Sequence, residues 1–198
     1  MSILLQLNTS IFSADGQSSH LADEYVAGWR ARHSKGRVII RDFARDPVPH
    51  LTATGFQAFL TKPAERSTEQ QAEVAFSDML IDELKQADVI VIGLPMYNFG
   101  VPSMLKAYFD HIARAGVTFR YSDKGPEGLL TGKKVYVFAT RGGLYVGRHA
   151  DYVHPGLPAL TGNDGYRVCI CGRSQYKRSR KTGGASAGER RNSSPLRI

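Results

Sequence analysis

The run Val89-Ile90-Val91-Ile92-Gly93 limits what this chain can fold into more than any other stretch. Four β-branched apolar residues in succession have no polar face, so they read as a strand covered on both sides, the kind found in parallel sheets. Asp88 leads into it and LPMYNFGVP (94–102) leaves it as a loop. Three further runs read as strands: ILLQLN (3–8), RVIIR (37–41) and KVYVFA (134–139). Helical patterns lie between them. Leu21, Tyr25, Val26 and Trp29 share one face of a helix, with Ser18 or Ser19 as its natural N-cap. Thr68-x-x-Gln71 has the form of a capping box, opening a helix that turns Val74, Met79, Leu80 and Leu84 inward. Ser103 caps a third helix, apolar at Leu105, Tyr108, Phe109 and Ile112. A long connection at 50–67 holds a short helix at 55–60, and 117–121 and 129–130 are extended pieces around a Gly/Pro turn. Alternation of this kind predicts an α/β fold, a doubly wound parallel sheet with helices on both faces.

The 198 residues suit one domain, or one domain and a tail. No apolar run approaches the roughly 18–20 residues of a membrane span, and Met1-Ser2-Ile3-Leu4-Leu5 reads as the start of a strand rather than a signal peptide. The expectation is a cytoplasmic protein. The net charge of +8 would suit a nucleic-acid binder, but ten of the 26 Lys/Arg and only three of the 18 Asp/Glu lie from Gly147 onward, leaving 16 and 15 before it. The body is nearly neutral, so neither nucleic acid nor membrane is expected as a partner. Cys169-x-Cys171 lies in the basic part too; a lone C-x-C falls short of the roughly four ligands that zinc takes, so no metal site is expected.

In a doubly wound sheet the ligand lies beyond the carboxyl ends of the strands, which singles out the loops at 8–19, 94–102 and 140–146. The first has neither G-x-G-x-x-G nor G-x-x-x-x-G-K-[ST], which speaks against a dinucleotide site or a P-loop there. It offers Thr9, Ser10, Gln17, Ser18 and Ser19 at the start of a helix, a setting that suits a phosphate monoester; the same serines also suit plain helix caps. In the second loop, Met96, Tyr97 and Phe99 give a planar ring an apolar wall, and Asn98 and backbone amides can bond its polar edge. The third supplies Arg141 and the glycines 142 and 143, which let backbone approach a ligand closely. One loop for phosphate and two for a flat heteroaromatic ring describe FMN.

PMYNF (95–99), ARAGVTFRY (113–121), GPEGL (125–129), TGKK (131–134) and TRGG (140–143) occur in this order. At that spacing the chain resembles the FMN-dependent NADH:quinone oxidoreductases, the azoreductase family, from Met1 to about Gly147. The resemblance implies a flavodoxin-like fold over 1–147, with FMN as cofactor and NADH or NADPH as electron donor. It implies ping-pong two-electron hydride transfer to quinones or azo compounds, in a homodimer with flavin sites at the subunit interface. Ser10 and the Gly16-Gln17-Ser18 turn would hold the FMN phosphate, Met96, Tyr97, Asn98 and Phe99 would line the ring, and Thr140, Arg141, Gly142 and Gly143 would contact its pyrimidine side. Gly16 stands where family members often carry serine, so one hydroxyl is lost and a modest fall in phosphate affinity is implied. Because the flavin performs the chemistry, no catalytic side chain is expected. His20, His33, His50 and His111 read as solvent-facing or structural; Phe99, Phe119 and Tyr121 suit either substrate contact or core packing.

After Gly147 the pattern breaks. Where a helix, a fifth strand and a closing helix should follow, Pro155, Pro158 and KRSRKTGGASAGERRNSS (177–194) have the composition of a disordered basic tail over 148–198. The genetic code permits another text there. Read one base later, the codons of VCICGRSQY (168–176) allow Phe-Val-Tyr-Ala-Glu-Gly-Leu-Asn-Ile, and those of 177–192 allow an Ala-rich, charged sequence of good helix formers. The final quarter therefore reads as frameshifted near codon 147, with the last strand and helices missing or replaced and the activity impaired.

Three rival readings follow. A flavodoxin-like electron carrier without enzymatic activity shares the fold, although its body is usually strongly acidic. A receiver domain needs acidic residues where Asn8-Thr9 and Gly93-Leu94 stand. A basic nucleic-acid arm on an ordinary enzyme would give binding that weakens with salt.

Overall fold

The computed structural model describes residues 1–123 and 125–143, and the backbone of 166–172. Five strands form one parallel sheet: β1 (Ile3–Asn8), β2 (Arg37–Asp42), β3 (Val89–Pro95), β6 (Lys134–Arg141) and β7 (Tyr166–Gly172), in the order β2-β1-β3-β6-β7. The intervening β4 (Phe119–Ser122) and β5 (Gly125–Gly128) make a separate antiparallel hairpin. Thus the extended segment expected at 129–130 lies instead at Gly125–Gly128, where Arg120 and Glu127 pair across the two strands at 2.9 Å. The helices are α1 (Gln17–Arg32), α2 (Ala53–Leu60), α3 (Thr68–Gln86) and α4 (Ser103–Ile112). All seven residues of β3 are buried, as the two-sided reading of its apolar run requires.

Helices divide the core in two. Leu5, Leu7, Ile90, Ile92, Val135 and Val137 pack against Leu80, Ile81 and Leu84 of α3 and Leu105, Tyr108 and Ile112 of α4. The opposite strand faces, Leu4, Val89, Val91 and Phe138, pack against Ala22, Val26 and Trp29 of α1. Period-two alternation along strands flanked by helices on both faces forces this split.

Several local boundaries differ from the sequence reading. The capping box is Ser67 with Gln70, one residue earlier than Thr68 and Gln71; both registers satisfy the pattern, and Ser67 is the residue with extended backbone ahead of the helix. Met79, expected inward on α3, is 44% exposed, because Leu80 and Ile81 already fill that face. Ser103 is the first residue of α4 and Pro102 its N-cap. His20 and His50 are exposed, His33 stacks on Trp29, and His111 is buried with Nε2 3.0 Å from the Pro49 carbonyl.

At the fifth strand position, expected to be missing or replaced, the chain's own Tyr166–Gly172 stands, so the position is not missing. β7 lies parallel to β6 in a register running from Val135 opposite Tyr166 to Arg141 opposite Gly172. Within 148–198, expected to be a disordered tail, Tyr166–Gly172 is therefore strand: Val-Cys-Ile-Cys is β-prone and apolar enough to pair with β6. The rest of that expectation, at 148–165 and 173–198, lies outside the described residues, as do the side chains of Cys169 and Cys171.

Candidate functional site

The strand order reverses direction between β1 and β3, and the loops leaving those two strands open on the same crevice. Thr9, at the end of β1, bonds across it: its N–H and its hydroxyl both donate to the Gly93 carbonyl, at 3.3 and 2.8 Å. The Met96 N–H donates to the Thr140 carbonyl at 2.9 Å. Three consecutive neighbours in the sheet thereby deliver the three loops singled out from sequence to one place.

The first loop is held from two sides. Ser19 Oγ in α1 donates to the Ser13 carbonyl at 2.7 Å, and the Ser13 hydroxyl donates to the Asp42 carboxylate at the end of β2. Ser13 itself adopts φ 51°. Asp42 was not legible as a site residue, because only the parallel register that sets Asn8 opposite Asp42 brings it there. Thr9 and Ser19, offered from sequence as phosphate donors, spend their hydroxyls on this framework.

Serine caps on α1 are not what the structure has. Its N-cap is Gly16, with no side-chain cap bond. The His20 N–H closes the first turn on the Gly16 carbonyl at 3.0 Å, so the N–H groups of Gln17, Ser18 and Ser19 have no intrahelical acceptor. Ser18 is 1% exposed and its Oγ has no hydrogen-bond partner among the described residues. Buried hydroxyls are nearly always bonded, so a hydroxyl of this kind at an uncapped helix N-terminus marks a place where an anion fits. Ser10, 1% exposed, and Gly16, also buried, adjoin this turn, while Gln17 is exposed.

Between the ends of β3 and β6 lies a pocket lined by Pro95, Met96, Gly100, Val101, Thr140 and Arg141, among others. Met96 and, next to it in the chain, Tyr97 are half-buried, and Arg141 is 4% exposed. Gly142 is exposed and Gly143 half-buried at the start of the third loop; its residues 144–146 lie outside the described ones. Tyr97 to Gly100 form a tight two-residue turn, closed by Tyr97 N to Gly100 O at 3.1 Å and Gly100 N to Tyr97 O at 2.9 Å. Asn98 (φ 46°) and Phe99 (φ 63°), both exposed, occupy its two left-handed positions. Phe99 and Tyr121 are 63% and 78% exposed, which removes the core-packing alternative for both; Phe119 is half-buried and sets its ring edge against Tyr121.

The ring loop and the anion turn touch. The Tyr97 hydroxyl lies 3.2 Å from Ser10 Oγ and accepts the Ile11 N–H at 3.3 Å, so one phenol bridges the loops after β3 and β1. The pocket, with buried Arg141 among its lining residues, thus lies beside the uncapped first turn of α1. Among the described residues no group of three or more His, Cys, Asp and Glu could hold a metal, and no helix is long and apolar enough to cross a membrane.

The family description of the flavodoxin-like fold matches residues 2–164, past the Gly147 limit of the resemblance seen in sequence. An FMN-dependent NADH:quinone oxidoreductase of Cellvibrio japonicus is 56% identical over 151 residues, which make up 76% of this chain and 76% of that one. The two chains are therefore of nearly equal length, and each keeps an unmatched part of the same size. An FMN-dependent NADH:quinone oxidoreductase of Alcanivorax borkumensis is 50% identical over 80% of each chain. Among solved structures, an FMN-dependent NADH-azoreductase from Bacillus anthracis, in complex with FMN, is 26% identical with a TM-score of 0.76, covering 86% of both chains.

Proposed function

The chain belongs to the flavodoxin-like family of FMN-dependent NADH:quinone oxidoreductases, and from this we propose that it is an FMN-dependent enzyme passing two electrons from NADH or NADPH to quinones or azo compounds. The observation that carries the cofactor assignment is the buried Ser18 hydroxyl without a partner at the uncapped start of α1. A phosphate monoester satisfies it together with the N–H groups of the first turn, at the favourable end of the helix dipole.

The residues present fit the group. Ser10, Gly16, Gln17 and Ser18 would hold the phosphate. Met96, Tyr97, Asn98 and Phe99 would line the ring, and Thr140, Arg141, Gly142 and Gly143 would hold its pyrimidine side. FMN, when bound, supplies the two-electron chemistry. The chain supplies position and field. The turn at Tyr97–Gly100 presents the side chains of Asn98 and Phe99 outward, and the Arg141 guanidinium favours negative charge at the polar edge. No side chain is assigned a nucleophile's or a proton donor's role.

A second copy of the chain fits the same reading. Ile11, Phe12 and Phe99 on the site loops, and Phe56 and Leu60 on α2, are all more than half exposed, and a homodimer would cover such residues. The reading places the enzyme in the cytoplasm, with no membrane or nucleic-acid partner.

Purified chain mixed with FMN, freed of excess ligand and scanned for flavin absorbance tests the cofactor. Sustained NADH oxidation on addition of a quinone then separates an enzyme from an electron carrier. A chain that stays colourless and oxidises no NADH ends the proposal. Sedimentation at the mass of two chains is expected for the dimer; a single-chain mass rejects it.

A further inference from the structure

Ser10 Oγ accepts the Phe12 N–H at 3.2 Å and lies 3.2 Å from the Tyr97 hydroxyl, which accepts the Ile11 N–H at 3.3 Å. A hydroxyl has one proton and two lone pairs. Between the two oxygens only one proton can lie, so one hydroxyl donates and the other keeps its proton for something else.

The two orientations have different consequences. If Ser10 donates to Tyr97, its proton is spent and it meets an anion with a lone pair, which is repulsive. If Tyr97 donates to Ser10, both Ser10 lone pairs are taken, by Phe12 N–H and by Tyr97 O–H. The Ser10 proton is then its only remaining capacity. Ser10 becomes an obligate donor beside the open first turn of α1, where Ser18 and the free N–H groups are donors as well. Only the second arrangement gives the turn a single polarity.

We propose that Tyr97 is a positioning residue for the phosphate site: its hydroxyl donates to Ser10 and so commits the Ser10 proton to an incoming phosphate. The site is thereby selective for the phosphorylated flavin over the same ring without phosphate. Tyr97 acts through Ser10 and need not touch the phosphate; its ring meanwhile stays part of the wall built by the 97–100 turn. The assignment rests on the FMN reading above and adds to it which hydrogen bond sets the preference for phosphate.

The test uses the full chain and three variants, Tyr97→Phe, Ser10→Ala and the double change, each titrated with FMN and with riboflavin by quenching of flavin fluorescence. Tyr97→Phe is expected to weaken FMN binding by roughly five- to tenfold, the size of one hydrogen bond within a charged site, and to leave riboflavin unchanged. Ser10→Ala should do the same, and adding Tyr97→Phe to it should cost nothing more, because the two act through one proton. Tyr97→Phe that weakens both flavins alike, or that leaves FMN binding unchanged or tighter, overturns the proposal. A parent chain that binds neither flavin overturns the FMN reading, and this one with it. A parent that binds FMN while the variants behave wrongly overturns only the role of Tyr97.

Discussion

A β-carbon on Gly16 would overlap the hydroxyl of Ser10 and lie 2.5 Å from the Ser10 Cβ. Gly16 has φ −71° and ψ 135°, a conformation open to any residue, so space and not backbone freedom keeps it a glycine. Ser10 leans into the volume that a side chain at 16 would fill. Serine at 16 is thus incompatible with Ser10 as placed here. Gly16→Ser should weaken FMN binding about tenfold or more and lower the melting temperature, at a typical overpacking cost of about 1–3 kcal/mol. Tighter FMN binding with an unchanged melt would show instead that the missing hydroxyl is the larger effect.

Gly93 makes a similar demand with less room to yield. A β-carbon there would lie 2.8 Å from the Ser18 carbonyl oxygen and 3.0 Å from its carbon, both backbone atoms of the first turn of α1. Gly93→Ala should lift that turn from the sheet, costing about 1–3 kcal/mol in urea denaturation and abolishing measurable FMN uptake, since the same turn receives the phosphate. Gly28→Ala serves as its control. Gly28 is inside α1 with its nearest neighbour, Arg32 Nη1, 3.6 Å from the added carbon. That change should stabilise the chain by about 0.5–1 kcal/mol through helix propensity alone. Equal effects from the two changes would refute the close-approach account.

Phe99 sits at φ 63° in a turn position that usually belongs to glycine. The left-handed conformation costs a non-glycine residue roughly 1–2 kcal/mol, and with 63% of its surface exposed Phe99 offsets little of that by burial. Such strain is retained at ligand-facing turns. Phe99→Gly is expected to stabilise the fold by up to about 1 kcal/mol after the entropy that glycine adds to the unfolded chain, raising the thermal midpoint, and to raise the KM for an aromatic quinone. A lower midpoint would mean that the turn is unstrained.

Tyr108 on α4 is fully buried, and its hydroxyl has no hydrogen-bond partner among the described residues. Burial, with Glu83 nearby, pushes its pKa well above the ordinary tyrosine value. Above about pH 10 the unfolded chain therefore loses a proton that the folded chain keeps, and stability falls as pH rises. Tyr108→Phe removes this proton from the balance. Plotted against pH above about 10, the unfolding free energy of the variant should decline less steeply than that of the parent, by one proton. Parallel slopes would show that Tyr108 ionises equally in both states.

The fold was largely legible because its signals are local: the VIVIG run, the amphipathic helices and the loops at strand ends each lie within one stretch of sequence. The capping box was legible to within one residue, since Ser67-x-x-Gln70 and Thr68-x-x-Gln71 are overlapping solutions of the same pattern. The site was legible as three loops and a set of residues, but not as contacts. Ser13 with Asp42, Gly93 with Ser18, and Ser10 with Tyr97 join residues far apart in sequence, and nothing in either local stretch announces its partner. The division of labour among the serines was hidden for the same reason. Ser18 is the hydroxyl left open, whereas Ser19, its neighbour with the same chemistry, is committed to the loop.

β7 bears on the final quarter of the chain. Its residues pair with β6 over seven positions, and the same codons read one base later permit Phe-Val-Tyr-Ala-Glu from Val168 to Gly172. Both texts are apolar and β-prone at the strand centre, so either can complete the sheet. They part after the strand. In this frame 177–194 is basic and rich in glycine and serine; in the next it permits an Ala-rich, charged helix. A helix packed on a sheet buries apolar side chains, at roughly 1.5–3 kcal/mol for each large one. A chain switched to the second text from codon 148 onward should therefore be several kcal/mol more stable than this one, melt at a higher temperature and retain FMN more fully through gel filtration. Equal melting points for the two chains, or DNA across codon 147 that reads without ambiguity in the present frame, would show that the basic tail belongs to the protein as it stands.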